Sequence, residues 1–184
     1  MDAAQYYKAN IFQPLGMQDT AFHLNEEQKK RLVHVYCRKN GKLVDVTGSK
    51  EDLPKKFHFG ERYICGAGGL YATLTDYGAF AQMLQNGGSY RGTQILKSET
   101  VQLMCTEAPV KHLEPEPGFV WGLGVKIRQD PVRGGSFATA GTYGWSGAFG
   151  THFFVSPADD LNCVLMLNLS LIHISEPTRR VVIS

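Results

Sequence analysis

Apolar side chains recur at helical spacing through the first part of this chain and gather in short β-branched and aromatic runs toward its end. Residues 2–14 read as a helix capped by Asp2, with Tyr6, Ile11 and Phe12 near one face and Pro14 and Gly16 ending it. "GMQDTAF" is then a turn. Asn25 caps a second helical segment, "EEQKKRLVHVYCR", in which Leu32, Val33 and Tyr36 keep helical spacing. "RKNGKLV" carries an Asn-Gly hairpin signal, and the polar stretch 45–64, broken by Pro54, reads as loop.

The glycine-rich "GAGGLYAT" leads to Thr75, the expected cap of a helix over "DYGAFAQMLQNGG". Phe80, Met83 and Leu84 form its apolar stripe, and Gly87-Gly88 stop it. Ser98 is the expected cap of a shorter helix, "ETVQLMCT". Three strand-like runs follow: "FVWGLGVKI", "GTHFFVSP" and "LNCVLMLNL". A Pro157–Asp159 turn between the last two predicts a hairpin. Helices first and antiparallel strands after them give an α+β reading, helices packed on an antiparallel sheet.

Composition narrows the function without choosing it. The 184 residues suffice for one domain with a core, or for a piece of a larger one. The chain is 43% hydrophobic and 20% charged with a net charge of +2, ordinary for a globular protein. Its basic residues are scattered, and the cluster Lys29, Lys30, Arg31 reads as a solvated helix face, so no nucleic-acid footprint is expected. Cys37, Cys65, Cys105 and Cys163 form no C-x-x-C pair and read as buried free thiols, not a metal or redox site. "MDAAQYYKAN" has no signal-peptide pattern, and "LNCVLMLNLSLIHI" is too short and interrupted to span a bilayer.

Three motifs carry a family resemblance across roughly residues 3–168. "IFQPLGMQDTAF" resembles the I-F-x-P-L-G-M-x-D-T-x-F signature of the serine β-lactamase-related family, which includes class C β-lactamases, D-alanyl-D-alanine carboxypeptidases and esterases. "CGAGGLYATLTDYGAFAQMLQNGG" is similar to its G-x-G-G-L-x-S-T-x-x-D-Y segment, and "GTYGWSGAFGTHFFVSPADDLNCVLM" to its closing strand pair. The resemblance implies acyl transfer through a covalent serine. It also implies an incomplete part of the β-lactamase/transpeptidase-like fold, whose five-stranded sheet would here retain three strands and an open edge.

The family works with an S-x-x-K nucleophile helix, a Y-x-N or Y-x-S loop, and a strand motif (K-T-G, H-x-G or W-x-G) that lines the pocket. Only the third is matched, by Trp145-Ser146-Gly147. The resemblance then puts the oxyanion-hole N–H at Ala148 and makes Trp145-Ser146-Gly147 pocket-lining, with Tyr143 a weaker candidate than Trp145 for the substrate-contacting wall. No serine here is followed three residues later by lysine, and no tyrosine two residues later by Asn or Ser. Read from its own residues, Ser146 has three readings: a nucleophile, a pocket wall, or a turn before a strand. A nucleophile elbow needs a following helix, whereas "THFFV" is strand-like, and His152 lies close along that strand. The pocket wall is therefore favoured. Trp145 is either core or substrate contact, and its glycine surroundings favour contact. "GAGGL" lacks the lysine and spacing of a phosphate loop. His34, His58 and His112 are isolated, and Asp159-Asp160 belongs to a hairpin turn.

The last residues break the pattern. "LSLIHISEPTR" matches the translation of a transposon-type sequencing adapter, so 169–184 is expected to be an adapter-derived tail behind a β-lactamase-related region at 1–168. The expectation is part of a serine hydrolase acting on a small ester, amide or peptide substrate, without the nucleophile and therefore inactive alone. A non-catalytic binding or structural module is the alternative. No cofactor, metal or membrane span is expected, and the resemblance suggests a soluble parent, exported or periplasmic as many members are.

Overall fold

The computed structural model describes residues 2–49, 64–66, 68–109, 116–135 and 137–170. The first helical stretch changes its winding along its length: α1 (Ala3–Tyr7), a π-helical turn (Lys8–Phe12) and α2 (Gln13–Leu15). Asp2 caps it, its carboxylate accepting the Gln5 N–H at 2.8 Å. Pro14 does not end the helix but lies inside α2. The wider π turn shifts the bonding, with the Met17 N–H reaching back to the Phe12 carbonyl, so the missing proline donor falls where the regular ladder is already displaced. Gly16 ends the run in the left-handed region, φ 70°.

The second expected helix is much shorter than its pattern suggested. Asn25 and Gln28 form a reciprocal capping box, but α3 spans only Glu26–Lys30. Beyond it, "YCRK" is strand β1 (Tyr36–Lys39), with Cys37 buried and its neighbours turned out. Period-two burial beside the β-branched Val33 and Val35 outweighs the helical spacing. The Asn-Gly turn forms as read: Asn40 (φ 49°) and Gly41 (φ 76°) join β1 to β2 (Lys42–Asp45), the positive pair a primed hairpin turn requires. His34 is not isolated, since its Nδ1 lies 2.6 Å from Asp45 Oδ2. Hydrogen bonds from Thr47 and then His34 hold the Asp45 carboxyl down at about 2. Pro54, His58 and His112 lie outside the described residues. Of the segment 169–184, Leu169–Ser170 forms β10, parallel to β1, and 171–184 lie outside the described residues.

Helix α4 (Leu74–Gln85) is the main buried helix. Its cap is Thr73 rather than Thr75: the Thr73 hydroxyl accepts the Asp76 N–H at 3.2 Å. Gly87 and Gly88 follow with positive φ. A small hairpin, β3 (Ser89–Tyr90) and β4 (Thr93–Gln94), leads to α5 (Ser98–Met104). Ser98 is the first residue of α5, and Lys97 holds the cap position without a side-chain bond.

The closing region forms five strands rather than three. "FVWGLGVKI" splits into β5 (Phe119–Trp121) and β6 (Lys126–Arg128), because the chain reverses at Gly122–Gly124. A Cβ at Gly122 would sit 2.2 Å from the Met104 carbonyl, and Gly124 has φ 75°. "YGWS" is itself strand β7 (Tyr143–Ser146), followed by β8 (His152–Ser156) and β9 (Leu161–Leu165). The order is β5-β6-β7-β8-β9, all neighbours antiparallel, with the Pro157–Asp159 turn where the sequence placed it. Met83 and Leu84 of α4 pack with Tyr143, Phe153 and Val155 of the sheet and with Phe12, Leu15 and Met17 of the first helical stretch. Cys37 is the only fully buried thiol among the described residues; Cys65 and Cys105 are half-buried and Cys163 is exposed.

Candidate active site

The stretch of interest is built by the β7–β8 pair. Register sets Tyr143 opposite Val155, Gly144 opposite Phe154, Trp145 opposite Phe153 and Ser146 opposite His152. Tyr143 is buried in the core against α4, and burial, with Cys105 beside it, pushes its phenol well above the usual range. Trp145 keeps 44% of its surface exposed, and its ring centroid lies 4.9 Å from that of Trp121 with the planes tilted by 50°. The turn after β7 is tight: the Gly147 N–H bonds the Thr151 carbonyl at 2.8 Å and the Gly150 N–H bonds the Gly147 carbonyl at 3.0 Å. Ala148 sits exposed in that turn.

A groove of about 240 Å³ runs over this strand. Trp145, Ser146 and Gly144 line it together with Phe119, Lys126, Arg128, His152 and Phe154. A larger hollow of about 420 Å³, between Cys105, Gln129 and Gly141, contains none of the residues of the W-x-G motif. Cations border the first groove. The Lys126 ammonium and the Arg128 guanidinium each lie 4.5 Å from the centroid of the Phe119 ring, and Lys126 also pairs with Glu116 at 3.1 Å. Burial lowers the Arg128 pKa, and its Nε and Nη1 are buried without an acceptor.

His152 and the two cations were not anticipated as part of the site. Closeness along the chain had argued against His152, yet antiparallel pairing sets residues six apart face to face across a short turn. Ser146 Oγ lies 2.8 Å from His152 Nδ1. Burial, then the charge of Lys126, lower the His152 pKa, only partly opposed by a backbone hydrogen bond at Trp145. The lowering favours the neutral ring, in which the tautomer decides whether Nδ1 accepts from the serine hydroxyl or donates to it. The arrangement is nevertheless strand–turn–strand, with Ser146 on a regular ladder and not on a strained elbow. Chemically, it offers an aromatic wall, an exposed turn amide and a cationic border.

The His152 environment has a measurable consequence. A histidine whose folded pKa lies below its ordinary 6.5 takes up its proton first in the unfolded chain. Stability then falls as pH drops below 6.5 and levels off once the folded ring is protonated too. The pH dependence of unfolding in His152→Gln should lack this component; an unchanged profile would show that His152 is not desolvated.

Helices on an antiparallel sheet, with this groove over one strand, define an α+β protein of the β-lactamase and penicillin-binding-protein fold. The chain belongs to the Beta-lactamase family, whose sequence model matches residues 1–178. It is 27% identical over 169 residues to Protein Rv1367c of Mycobacterium tuberculosis, the match covering 85% of this chain and 41% of that protein. It is 22% identical to a protein of Escherichia coli K12 that carries a provisional D-alanyl-D-alanine carboxypeptidase name, covering 95% of this chain and 42% of that one. Among solved structures it superposes on EstCE1, described as a hydrolase with promiscuous acyltransferase activity, with TM-score 0.76 and 22% identity over 91% of this chain and 46% of that one. Simvastatin synthase (LovD) of Aspergillus terreus matches with TM-score 0.75 and 21% identity over 92% and 46%. The chain thus spans less than half the length of these relatives. Among the described residues no helix is long and apolar enough to cross a membrane.

Proposed function

We propose that this chain is the substrate-wall part of a serine hydrolase that acts on small ester, amide or peptide bonds through an acyl-enzyme, with the nucleophile supplied by sequence not included here. The observation that carries this reading is the groove over β7, which the half-exposed Trp145 lines. Trp145 is the candidate substrate contact, Tyr143 being buried in the core, and Ser146 and Gly147 complete the motif. The Ala148 N–H, in the exposed turn, is the candidate oxyanion donor, because a backbone amide needs no particular side chain there. The relatives support acyl-transfer chemistry, and 1–168 is the part that would contribute to it, with 169–184 an adapter-derived tail. The absent S-x-x-K and Y-x-N patterns support an inactive isolated chain. An indole in place of the K-T-G lysine favours ester or peptide substrates over β-lactams, whose carboxylate that lysine commonly meets. An exported or periplasmic parent fits this chemistry.

The test is made in the longer protein. With an S-x-x-K serine upstream, it should hydrolyse short p-nitrophenyl esters, and Trp145→Ala should lower kcat/KM by about tenfold, the worth of one aromatic contact. Full activity of that variant removes Trp145 from the site. A longer protein without either upstream motif and without esterase activity would support the alternative, a non-catalytic module.

A further inference from the structure

The chain contains two tryptophans, and they form a single pair. Trp145 is the penultimate residue of β7 and Trp121 the last of β5, two strands away, yet their ring centroids are 4.9 Å apart. Trp145 pairs with Phe153 in the ladder, one residue before the glycine-rich turn. One flank of its ring is taken by Trp121 while 44% of the residue remains open beside the groove. Trp121 is itself fixed: it pairs with Lys126 in the sheet, and its carbonyl accepts the Ala108 N–H at 2.7 Å. Its indole Nε1 is buried without a hydrogen-bond acceptor, a state that ordinarily costs stability.

We infer that Trp121 is a positioning residue that holds the Trp145 ring upright as a wall, and that this wall fits an aromatic or extended apolar group of an ester substrate. The inference rests on the proposed reading of Trp145 as a substrate contact. Two indoles at this distance make a broad, stiff apolar surface at low entropic cost. Phe119 and Phe154 also line the groove, while Lys126 and Arg128 border it with positive charge suited to a carbonyl or carboxylate oxygen.

Because the pair holds both tryptophans, tryptophan emission reports this site alone. In the chain as it stands, two indoles at this separation should give an exciton couplet in far-ultraviolet circular dichroism, lost in Trp121→Phe and in Trp145→Phe. Wild-type chain without a couplet overturns the inference. Phenyl butyrate, titrated against tryptophan emission, should bind saturably to the wild type and, within about twofold, to Trp121→Phe, which keeps an aromatic ring there. Trp121→Leu, read through Trp145 emission, should bind about tenfold more weakly. Thermal unfolding of each variant separates packing loss from loss of positioning, and Trp121→Tyr supplies a second ring-retaining variant if the leucine variant fails to fold. Unchanged affinity in a folded Trp121→Leu overturns the positioning role and leaves the proposed function standing. An intact couplet with no saturable response to phenyl butyrate overturns the substrate-wall reading, and this inference with it.

Discussion

Gly144→Ala destabilises the fold by about 3 kcal/mol, at the upper end of what one inserted methyl group costs. A Cβ at this position would lie 2.0 Å from the Phe153 carbonyl oxygen and 2.8 Å from the Phe154 Cα. Both are backbone atoms of the paired strand β8, so no side-chain rotation relieves the clash, and β7 must separate from β8. That separation pulls Trp145 from Phe153 and Ser146 from His152, which are joined by the same ladder. Gly78→Ala is the control. Position 78 lies inside α4 with nothing within 4 Å of the added carbon, so alanine there should stabilise by about 0.5–1 kcal/mol through helix propensity. Chemical denaturation of both variants gives the comparison. A Gly144→Ala effect below about 1 kcal/mol would mean the two strands are not this close.

Asp76→Ala is expected to cost about 2–4 kcal/mol, because it orphans two donors at once. One buried carboxylate oxygen, Oδ2, accepts the Asp19 N–H at 2.8 Å and the Thr20 hydroxyl at 2.9 Å. These bonds tie the "GMQDTAF" turn to the first turn of α4, where negative charge also suits the helix dipole. Asp76→Asn keeps an acceptor of the same shape and should lose roughly half as much. Equal losses in the two variants would assign the effect to charge instead of the hydrogen bonds. Amide exchange at Asp19 and Thr20 should accelerate selectively in the alanine variant.

These two positions also mark what the sequence does and does not reveal. The D-T of "GMQDTAF" is visible as a turn, but its anchor lies 57 positions further on, and no local pattern names it. Local chemistry was legible where one cause dominates: Asp2 and Asn25 as caps, Asn40-Gly41 as a hairpin turn, and Pro157–Asp159 between β8 and β9. It misled where tertiary pairing overrides spacing. "YCRK" is strand because Cys37 is buried with Val35 and Val46, although Leu32, Val33 and Tyr36 spell a helix. "FVWGLGVKI" is two strands, because Gly122 fits only against the Met104 carbonyl and Gly124 turns the chain. That split replaces the expected three strands by five. The edge strands remain β5 and β9, with Leu161 and Leu165 exposed on β9.

The candidate site was legible as a motif and illegible as a surface. Trp145, Ser146 and Gly147 are named through their match to the W-x-G motif of the family the chain resembles. Lys126, Arg128 and Phe119 reach the groove only because β5 and β6 fold back beside β7. His152 was visible and set aside, since distance along the chain says little once a short turn pairs two strands. The 2.8 Å contact between Ser146 Oγ and His152 Nδ1 makes that omission consequential, because it is the feature that a nucleophile reading would use.

A fluorophosphonate probe therefore tests the account most directly. Incubated with this chain and read by intact-mass and peptide mass spectrometry, it should leave Ser146 unmodified, while a longer protein carrying an upstream S-x-x-K serine should be labelled at that serine. A stoichiometric adduct on Ser146, lost in His152→Gln, would contradict the assignment of this strand as a wall and make it the seat of the nucleophile.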